Sequence, residues 1–344
     1  MDETVRAKIA VLGAGLIGVY VGGLLASAGA DVTLVGRLRV MDELRANDLR
    51  ITNVDGIDIT LHAEDITLAD HAGAIQSADL ILLTVKSPAT EATALEIAKY
   101  AKPGAVVLSL QNGVSNADRL RRALPQFRVV AGMVPFNVAQ PGPGHFHRGT
   151  GGGLYAEAGD AIAAYAELFA AAGLPLSLSA DMTGVMWGKL IINLNNAINV
   201  LSGKPLAAQF ADRDFRRALA MSQIEALSLL RRARIKPAQV LHVPTTIFPY
   251  MIALPDALYR RMAARSKAPR IDRHARSSMA DDLAKGRKTE IDYLNGEVVA
   301  LADKLGRPAP VNRRIIELVH AAEDGAAPWA GPALRAELRR ARSA

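Results

Sequence analysis

The run KIAVLGAGLIG at residues 8–18 constrains this chain more than any other stretch. Apolar Ile9 to Leu12 lead straight into glycines at 13, 15 and 18, and a helical pattern continues to about residue 28. A buried strand, a tight turn and a helix start fit that order. Gly13 would permit the turn, Gly15 would let backbone lie against a pyrophosphate, and Gly18 would let the helix pack closely on the strand. Phosphates favour such a helix start, because its first N–H groups are unpaired and the helix dipole is positive there. Residues 31–35 read as the next strand and supply the context that an isolated glycine motif lacks. A tight turn with no ligand is the alternative.

The residues just after that second strand bear on which dinucleotide fits. A carboxylate there would suit the ribose 2′-hydroxyl of NAD, but this chain has Gly36 and Arg37, with Arg39 just beyond. A guanidinium can hold a 2′-phosphate through bidentate, charge-assisted hydrogen bonds. Such bonds contribute roughly 1.5–3 kcal/mol each, about tenfold to over a hundredfold in affinity. NADPH is the expected cofactor, and a solvated loop arginine is the alternative.

Length and composition bound the rest. The 344 residues are enough for two domains with sizeable cores. Half of them are hydrophobic but only 5% are aromatic, a balance suited to a helix-rich α/β protein. No apolar run is long enough to span a membrane, and the charged start MDETVR lacks the apolar core of a signal peptide. With no cysteine, disulfides, thiolate metal sites and cysteine nucleophiles are excluded together. A soluble cytoplasmic protein is expected. The net charge of +7 comes with two basic clusters. One holds Arg260, Arg261, Arg265, Lys267, Arg270, Arg273 and Arg276, the other Arg335, Arg339, Arg340 and Arg342. Only Tyr259 interleaves the first, and no nucleic-acid module is legible, so solvated helix faces account for them. Neither nucleic acid nor a membrane is expected as a partner, although the field would draw in an anionic cofactor and substrate.

The first half alternates strand and helix. Residues 79–85 and 105–110 are continuous apolar runs of the kind buried on both faces of a parallel sheet. Helices are expected at 88–101 and 159–172, a further strand at 176–179, and a small hairpin around Val54, Asp55 and Gly56. The Gly/Pro-rich stretch 141–153 reads as turns between short strands. From Asp181 onward the pattern is helical almost throughout. The expected fold is α/β: a Rossmann-like doubly wound parallel sheet over residues 1–180, then an all-helical domain over 181–330. Residues 331–344, rich in Ala, Pro and Arg, are expected to form a peripheral tail.

Two constellations carry chemistry. In the helix that starts near Met182, Ile191, Leu194, Ile198 and Leu201 share one face, while Lys189, Asn193 and Asn196 share the other. Four asparagines between residues 193 and 199 are poor helix formers and cost roughly 2–2.5 kcal/mol relative to alanine. An ordinary solvent face would carry Glu, Lys, Gln or Arg, so these amides suit a polar, water-poor cleft. Asparagines packed against loop backbone are the alternative. Further on, Ser278 to Lys285 can form a short helix that Gly286 ends. Thr289 is placed to cap a second helix with Asp292 in the capping-box position, which sets Glu290 at the first helical position. Apolar Ile291, Leu294, Val298, Leu301 and Leu305 then run at helical spacing to Gly306.

Taken together, GAGLIG, the Gln111-Asn112-Gly113 after a buried strand, the WxK of Trp187–Lys189 and SSMADDLAKGRKTEIDYLNG at 277–296 resemble the ketopantoate reductase family. The resemblance spans residue 8 to about 320. It implies a nucleotide-binding domain joined to a helical one, and reduction of 2-dehydropantoate by NADPH to give pantoate for pantothenate synthesis. It also implies Lys189 as the catalytic lysine and Glu290 as the active-site glutamate, with Asn112, Asn193 and Ser278 on the substrate; Asn196, on the same helix face as Lys189, is expected to join them. The cofactor would be held by Gly13, Ala14, Gly15, Leu16, Ile17 and Gly18, with Arg37 on the 2′-phosphate and Lys86, Asn112 and Glu290 nearby. Two departures stand out: Ala197 and Ala275 occupy positions where family members carry asparagines that hold the far end of the substrate.

The chemistry fits the residue types. Hydride transfer to a keto carbon leaves an alkoxide that needs a proton. A lysine, with a reference pKa of about 10.4, is protonated at neutral pH and can give it while stabilising the developing charge. Glu290 could orient Lys189 and bind a substrate hydroxyl. No step requires a metal, and His145 and His147 form an HxH pair with no carboxylate near them in sequence. The competing readings are an NADPH-dependent reductase of another branched or aromatic 2-keto acid, and a non-catalytic NADPH-binding sensor. A helical domain of this type often supports a homodimer, but no motif here fixes the oligomeric state.

Overall fold

The computed structural model describes residues 6–240, 243–265, 273 and 275–343. The charged start before Arg6, and Lys267 and Arg270 of the first basic cluster, lie outside the described residues. The chain divides into two compact units, Met1–Met182 and Thr183–Ala344.

The first unit begins as its apolar periodicity dictates. β1 (Lys8–Leu12), α1 (Leu16–Ser27) and β2 (Asp31–Val35) form one strand–helix–strand turn, followed by α2 (Leu38–Asn47). A hairpin of β3 (Leu49–Asn53) and β4 (Asp58–Leu61) comes next, then β5 (Thr67–Ala69) and β6 (Leu80–Leu83). Then come α3 (Thr90–Tyr100), β7 (Val106–Ser109), α4 (Asn116–Ala123), β8 (Arg128–Met133), β9 (Val138–Gly142), β10 (His145–Arg148) and β11 (Leu154–Glu157). α5 (Asp160–Ala163), α6 (Ala166–Ala171) and β12 (Leu176–Ser179) close the unit.

The main sheet has eight strands in the order β12-β11-β8-β7-β6-β1-β2-β5. From β5 to β8 every neighbouring pair is parallel, and β11 joins β8 antiparallel. β1 sits at the centre, Ile9 pairing with Val32 on one side and Leu80 on the other. All four residues of β6 are buried, as a strand covered on both faces requires. The chain leaves β1 toward β2 and later returns on the other side as β6. The carboxyl ends of β1 and β6 therefore flank the switch point where doubly wound sheets bind ligands. The expected hairpin is present, and β10 and β9 extend it into a second sheet of order β4-β3-β10-β9. Its tight turn is held by Asn53 Oδ1, which accepts from the N–H groups of Asp55 and Ile57. The helix expected at 159–172 is split into α5 and α6.

Among its described residues the second unit has helices joined by loops and no strand: α7 (Met182–Asn193), α8 (Asn195–Ser202), α9 (Leu206–Ala211), α10 (Arg213–Arg232), α11 (Phe248–Ile252), α12 (Asp256–Arg265), α13 (Ser278–Ala284), α14 (Asn295–Lys304), α15 (Pro310–Glu323) and α16 (Gly331–Ser343). α10 is its longest helix, started by Asp212, whose carboxylate accepts from the Asp214 N–H. Arg216 on α10 is fully buried yet satisfied. Its guanidinium donates to the carbonyls of Ile252 and Phe210 and to Asp256, and lies 4.1 Å from the Tyr259 ring centre. Among the described residues no helix is long and apolar enough to cross a membrane.

The C-terminal stretch departs from the expected peripheral tail. α16 packs on α10 and α15, with Leu334 and Leu338 both 0% exposed and Arg335 paired with Asp214 at 2.5 Å. Leu334 and Leu338, four residues apart, make one apolar helix stripe in a segment whose Ala/Pro/Arg composition reads as solvated. Burying two leucines contributes roughly 3–6 kcal/mol, which outweighs the composition.

Candidate active site

In the first unit the expected cofactor residues fall on the carboxyl edge of the main sheet. β1 ends in Gly13, whose φ of +105° is a left-handed conformation that glycine adopts without strain. The N–H groups of Gly13 and Ala14 both donate to the Val35 carbonyl, which pins the turn to the end of β2. Thr84 Oγ1 donates to the Gly13 carbonyl at 2.8 Å and ties the turn to the end of β6. A side chain at Gly13 would meet the Val85 nitrogen at 2.5 Å, and one at Gly18 would run into the Gly13 carbonyl. Gly15 differs: a Cβ there finds only the Gly13 oxygen, at 3.9 Å, so the space above it is open. Gly15 also starts α1 with no side-chain cap and no acidic residue in the first turn. Ala14 is buried, Ile17 half-buried and Leu16 41% exposed at that helix start. This open, positively polarised cradle fits a dinucleotide pyrophosphate.

Arg37 lies two residues beyond β2, exposed, and starts α2. Among the described residues no carboxylate pairs with it, whereas Arg39 is paired with Glu43 at 3.6 Å. A guanidinium without a carboxylate, beside the turn, suits a phosphate. Lys86 follows β6, exposed, with its carbonyl accepting from the Ala89 N–H. Asn112 follows β7, and a polar network ties the two loops together. Gln111 Nε2 donates to the Val85 carbonyl and to Thr90 Oγ1. Asn116 Nδ2 donates to the Asn112 carbonyl at 2.5 Å and to Ser87 Oγ at 3.0 Å. Ser87, Thr90 and Asn116 carry no signal in the sequence, because only their hydrogen bonds to the other loop reveal what they do.

In the second unit the expected two faces are present. Ile191, Leu194 and Ile198 are fully buried and Leu201 nearly so, while Lys189, Asn193 and Asn196 are half-buried. The helix is not continuous: it breaks at Leu194 between α7 and α8, where the Ile191 carbonyl receives Gln223 Nε2 at 2.8 Å. Loss of hydration around the Lys189 ammonium pulls its pKa down from 10.5 to about 8.

The four asparagines divide. Asn195 and Asn199 are buried and structural: Asn199 Nδ2 donates to the Lys204 carbonyl and to Gln209, and Gln209 donates to Asn195. Asn199 Oδ1 accepts the Ser277 N–H at 2.9 Å, bringing the start of α13 against α8. Ser277 caps α13 by accepting from the Ala280 N–H and donates its own hydroxyl to the Asn196 carbonyl at 3.4 Å, while Ser278 is exposed at the first position of α13. Gly286, with φ +64°, lies just beyond the end of α13. Ala197 is fully buried, and the Ala275 carbonyl accepts from the Leu206 N–H.

Glu290 departs from its expected place at a helix start, for no α-helix begins there. Glu290 has φ −98° and ψ 30° and precedes a single 3₁₀ turn at Ile291–Tyr293, and α14 starts only at Asn295. The physical reason is competition from α15. Asp292, the expected capping-box carboxylate, instead meets His320 Nε2 at 3.1 Å. The Thr289 N–H goes to Glu323 Oε1 at 2.7 Å. Thr289 Oγ1 accepts the Ile291 N–H at 3.3 Å, a turn bond and not a helix cap. Among the described residues no group of three His, Asp or Glu side chains could hold a metal ion, and His145 and His147 both hydrogen-bond to Thr52 Oγ1.

Comparison with known proteins finds relatives along most of this chain. The family model for ketopantoate reductase PanE/ApbA matches residues 9–160, and the model for its C-terminal part matches residues 181–323. A 2-dehydropantoate 2-reductase of Pyrococcus horikoshii is 30% identical over 324 residues, covering 92% of this chain and 97% of that one. The crystal structure of a PanE/ApbA family ketopantoate reductase from Ralstonia eutropha JMP134 is 34% identical, with a TM-score of 0.77 over 92% of this chain and 98% of that one. D-mandelate dehydrogenase, in a ternary structure with NADH and anilino(oxo)acetate, shares the fold. It is 22% identical, with a TM-score of 0.73 over 92% of this chain and 98% of that one.

Proposed function

The chain belongs to the ketopantoate reductase family and is an oxidoreductase, and we propose that it reduces 2-dehydropantoate to pantoate with NADPH, Lys189 giving the proton. The observation that carries this reading is Lys189 itself, half-buried with Asn193 and Asn196 on one face of α7 and α8, whose opposite face is locked into the core. NADPH held at the glycine turn would supply the hydride that the C2 carbonyl carbon takes up. Lys189 gives its ammonium proton to the carbonyl oxygen as that oxygen gains charge. A pKa of about 8 keeps the lysine mostly protonated at neutral pH and makes it a stronger acid than lysine in water. Asn193, Asn196 and Ser278 bind the substrate carboxylate and hydroxyl through neutral donors. Glu290 orients Lys189 and takes a substrate hydroxyl. Gly13 to Gly18 hold the pyrophosphate, Arg37 the 2′-phosphate, and Lys86 and Asn112 border the cofactor at the ends of β6 and β7.

A second reading keeps the mechanism and changes the substrate. Ala197 is sealed in the core and Ala275 offers only backbone, so neither supplies an amide to the far end of a substrate. That loss suits reduction of another branched or aromatic 2-keto acid. The test is NADPH oxidation at 340 nm with 2-dehydropantoate beside a panel of such acids. Turnover of roughly 1 s⁻¹ or faster lies in the ordinary enzyme range. The highest kcat/KM on 2-dehydropantoate supports the first reading, and a tenfold preference for a panel member supports the second.

A further inference from the structure

The segment that carries Glu290 is not held by a helix of its own. Gly286 frees the chain from α13, and Glu290 itself sits between a loop and a three-residue turn. Its neighbours are held from α15, by residues 28 to 35 positions ahead of them. Glu323 has a side chain only 3% exposed. Its Oε1 accepts the Thr289 N–H at 2.7 Å, and its Oε2 accepts from Lys288 Nζ at 3.3 Å and meets His320 Nδ1 at 3.2 Å. The other ring nitrogen of His320 meets Asp292 at 3.1 Å. Thr289 and Ile291 are both buried, so the residues on each side of Glu290 are fixed while Glu290 is only half-buried.

We propose that Glu323, braced by His320, is a positioning residue: it clamps Thr289 and thereby sets where the Glu290 carboxylate stands. This rests on the role given to Glu290 above. The exposed pairs of Lys288 with Glu323 and Asp324 add little, because solvent screens Lys288. The contact that matters is a buried carboxylate on a buried backbone N–H, one residue before the functional glutamate. Burial alone would raise the Glu323 pKa, but hydrogen bonds from Thr289, His320 and Lys288 outweigh it and hold it at about 2. The carboxylate is therefore ionised throughout the working pH range.

The test is a double-variant cycle on kcat. Glu323→Ala is expected to lower kcat by about ten- to a hundredfold, with the Kd for NADPH within about twofold of wild type. In the Glu290→Ala background the same change is expected to cost less than about twofold, since no carboxylate remains to be positioned. Glu323→Gln keeps an oxygen for the Thr289 N–H and is expected to recover most of the loss. If Glu323→Ala does not fold, His320→Gln carries the same cycle, with about a threefold loss in wild type and none beside Glu290→Ala. Equal losses in both backgrounds, or a folded Glu323→Ala with wild-type kcat, overturn the proposal. Amide exchange over residues 287–294 reads the clamp without substrate and is expected to quicken in Glu323→Ala. Unchanged exchange also overturns it. A wild-type protein inert toward every 2-keto acid, with exchange quickened as expected, refutes the functional reading and leaves the clamp standing.

Discussion

The glycine turn and the Glu290 segment, both proposed to serve the active site, are held in opposite ways. The turn is fixed by sterics close at hand. Gly13 takes a conformation that other residues resist, Gly18 has no room for a side chain, and the Val35 carbonyl takes up the first two N–H groups. The Glu290 segment is fixed from a distance, by Glu323 and His320 on another helix. Short-range steric control leaves a pattern in the sequence, whereas long-range polar control leaves single residues that look unremarkable until the fold brings them together.

Substitutions can sharpen or break that contrast. The largest effect is expected at Lys189. Lys189→Ala should lower kcat by about 10²–10⁴, the usual contribution of a general acid, while NADPH binding, followed by fluorescence titration, stays near wild type. A loss below threefold would remove Lys189 from the chemistry. Arg37→Ala comes next: it should raise KM for NADPH by about ten- to a hundredfold and leave KM for NADH nearly unchanged. Equal effects on both cofactors would mean that Arg37 does not meet the 2′-phosphate. The smallest is Gly15→Ala. The open space there predicts a fold of wild-type thermal stability and an NADPH Kd raised about tenfold. Unaltered affinity would show that the cradle is not where the phosphates lie.

Legibility in the sequence divides along the same line. β1, the turn, α1 and β2 can be read because apolar runs and glycines encode them within 28 residues (8–35). The buried and polar faces of α7 and α8 can be read because helical spacing encodes them, and the separation of Lys189, Asn193 and Asn196 from Ile191, Leu194 and Ile198 holds across the break. The break itself cannot be read, since it coincides with a hydrogen bond from Gln223, distant in sequence. Nor can the division of the asparagines, because Asn199 is spent on the Ser277 backbone 78 residues away. A capping box at Thr289 and Asp292 fits the local spacing, but α15 supplies stronger partners for both residues. At α16 a signal exists, Leu334 and Leu338 on one helix face, but composition conceals it.

The pH dependence of kcat/KM for keto-acid reduction tests the central claim most directly, because it reads the protonation of the proton donor in the free enzyme. Burial lowers the Lys189 pKa from 10.5 to about 8, so the acid form is present below that value and lost above it. The predicted profile is level through neutral pH and falls tenfold per pH unit beyond about 8, with the limb absent in Lys189→Ala. A wild-type profile that stays flat to about pH 10, near the reference lysine pKa, or a falling limb that survives in Lys189→Ala, would contradict the assignment of Lys189 as the proton donor.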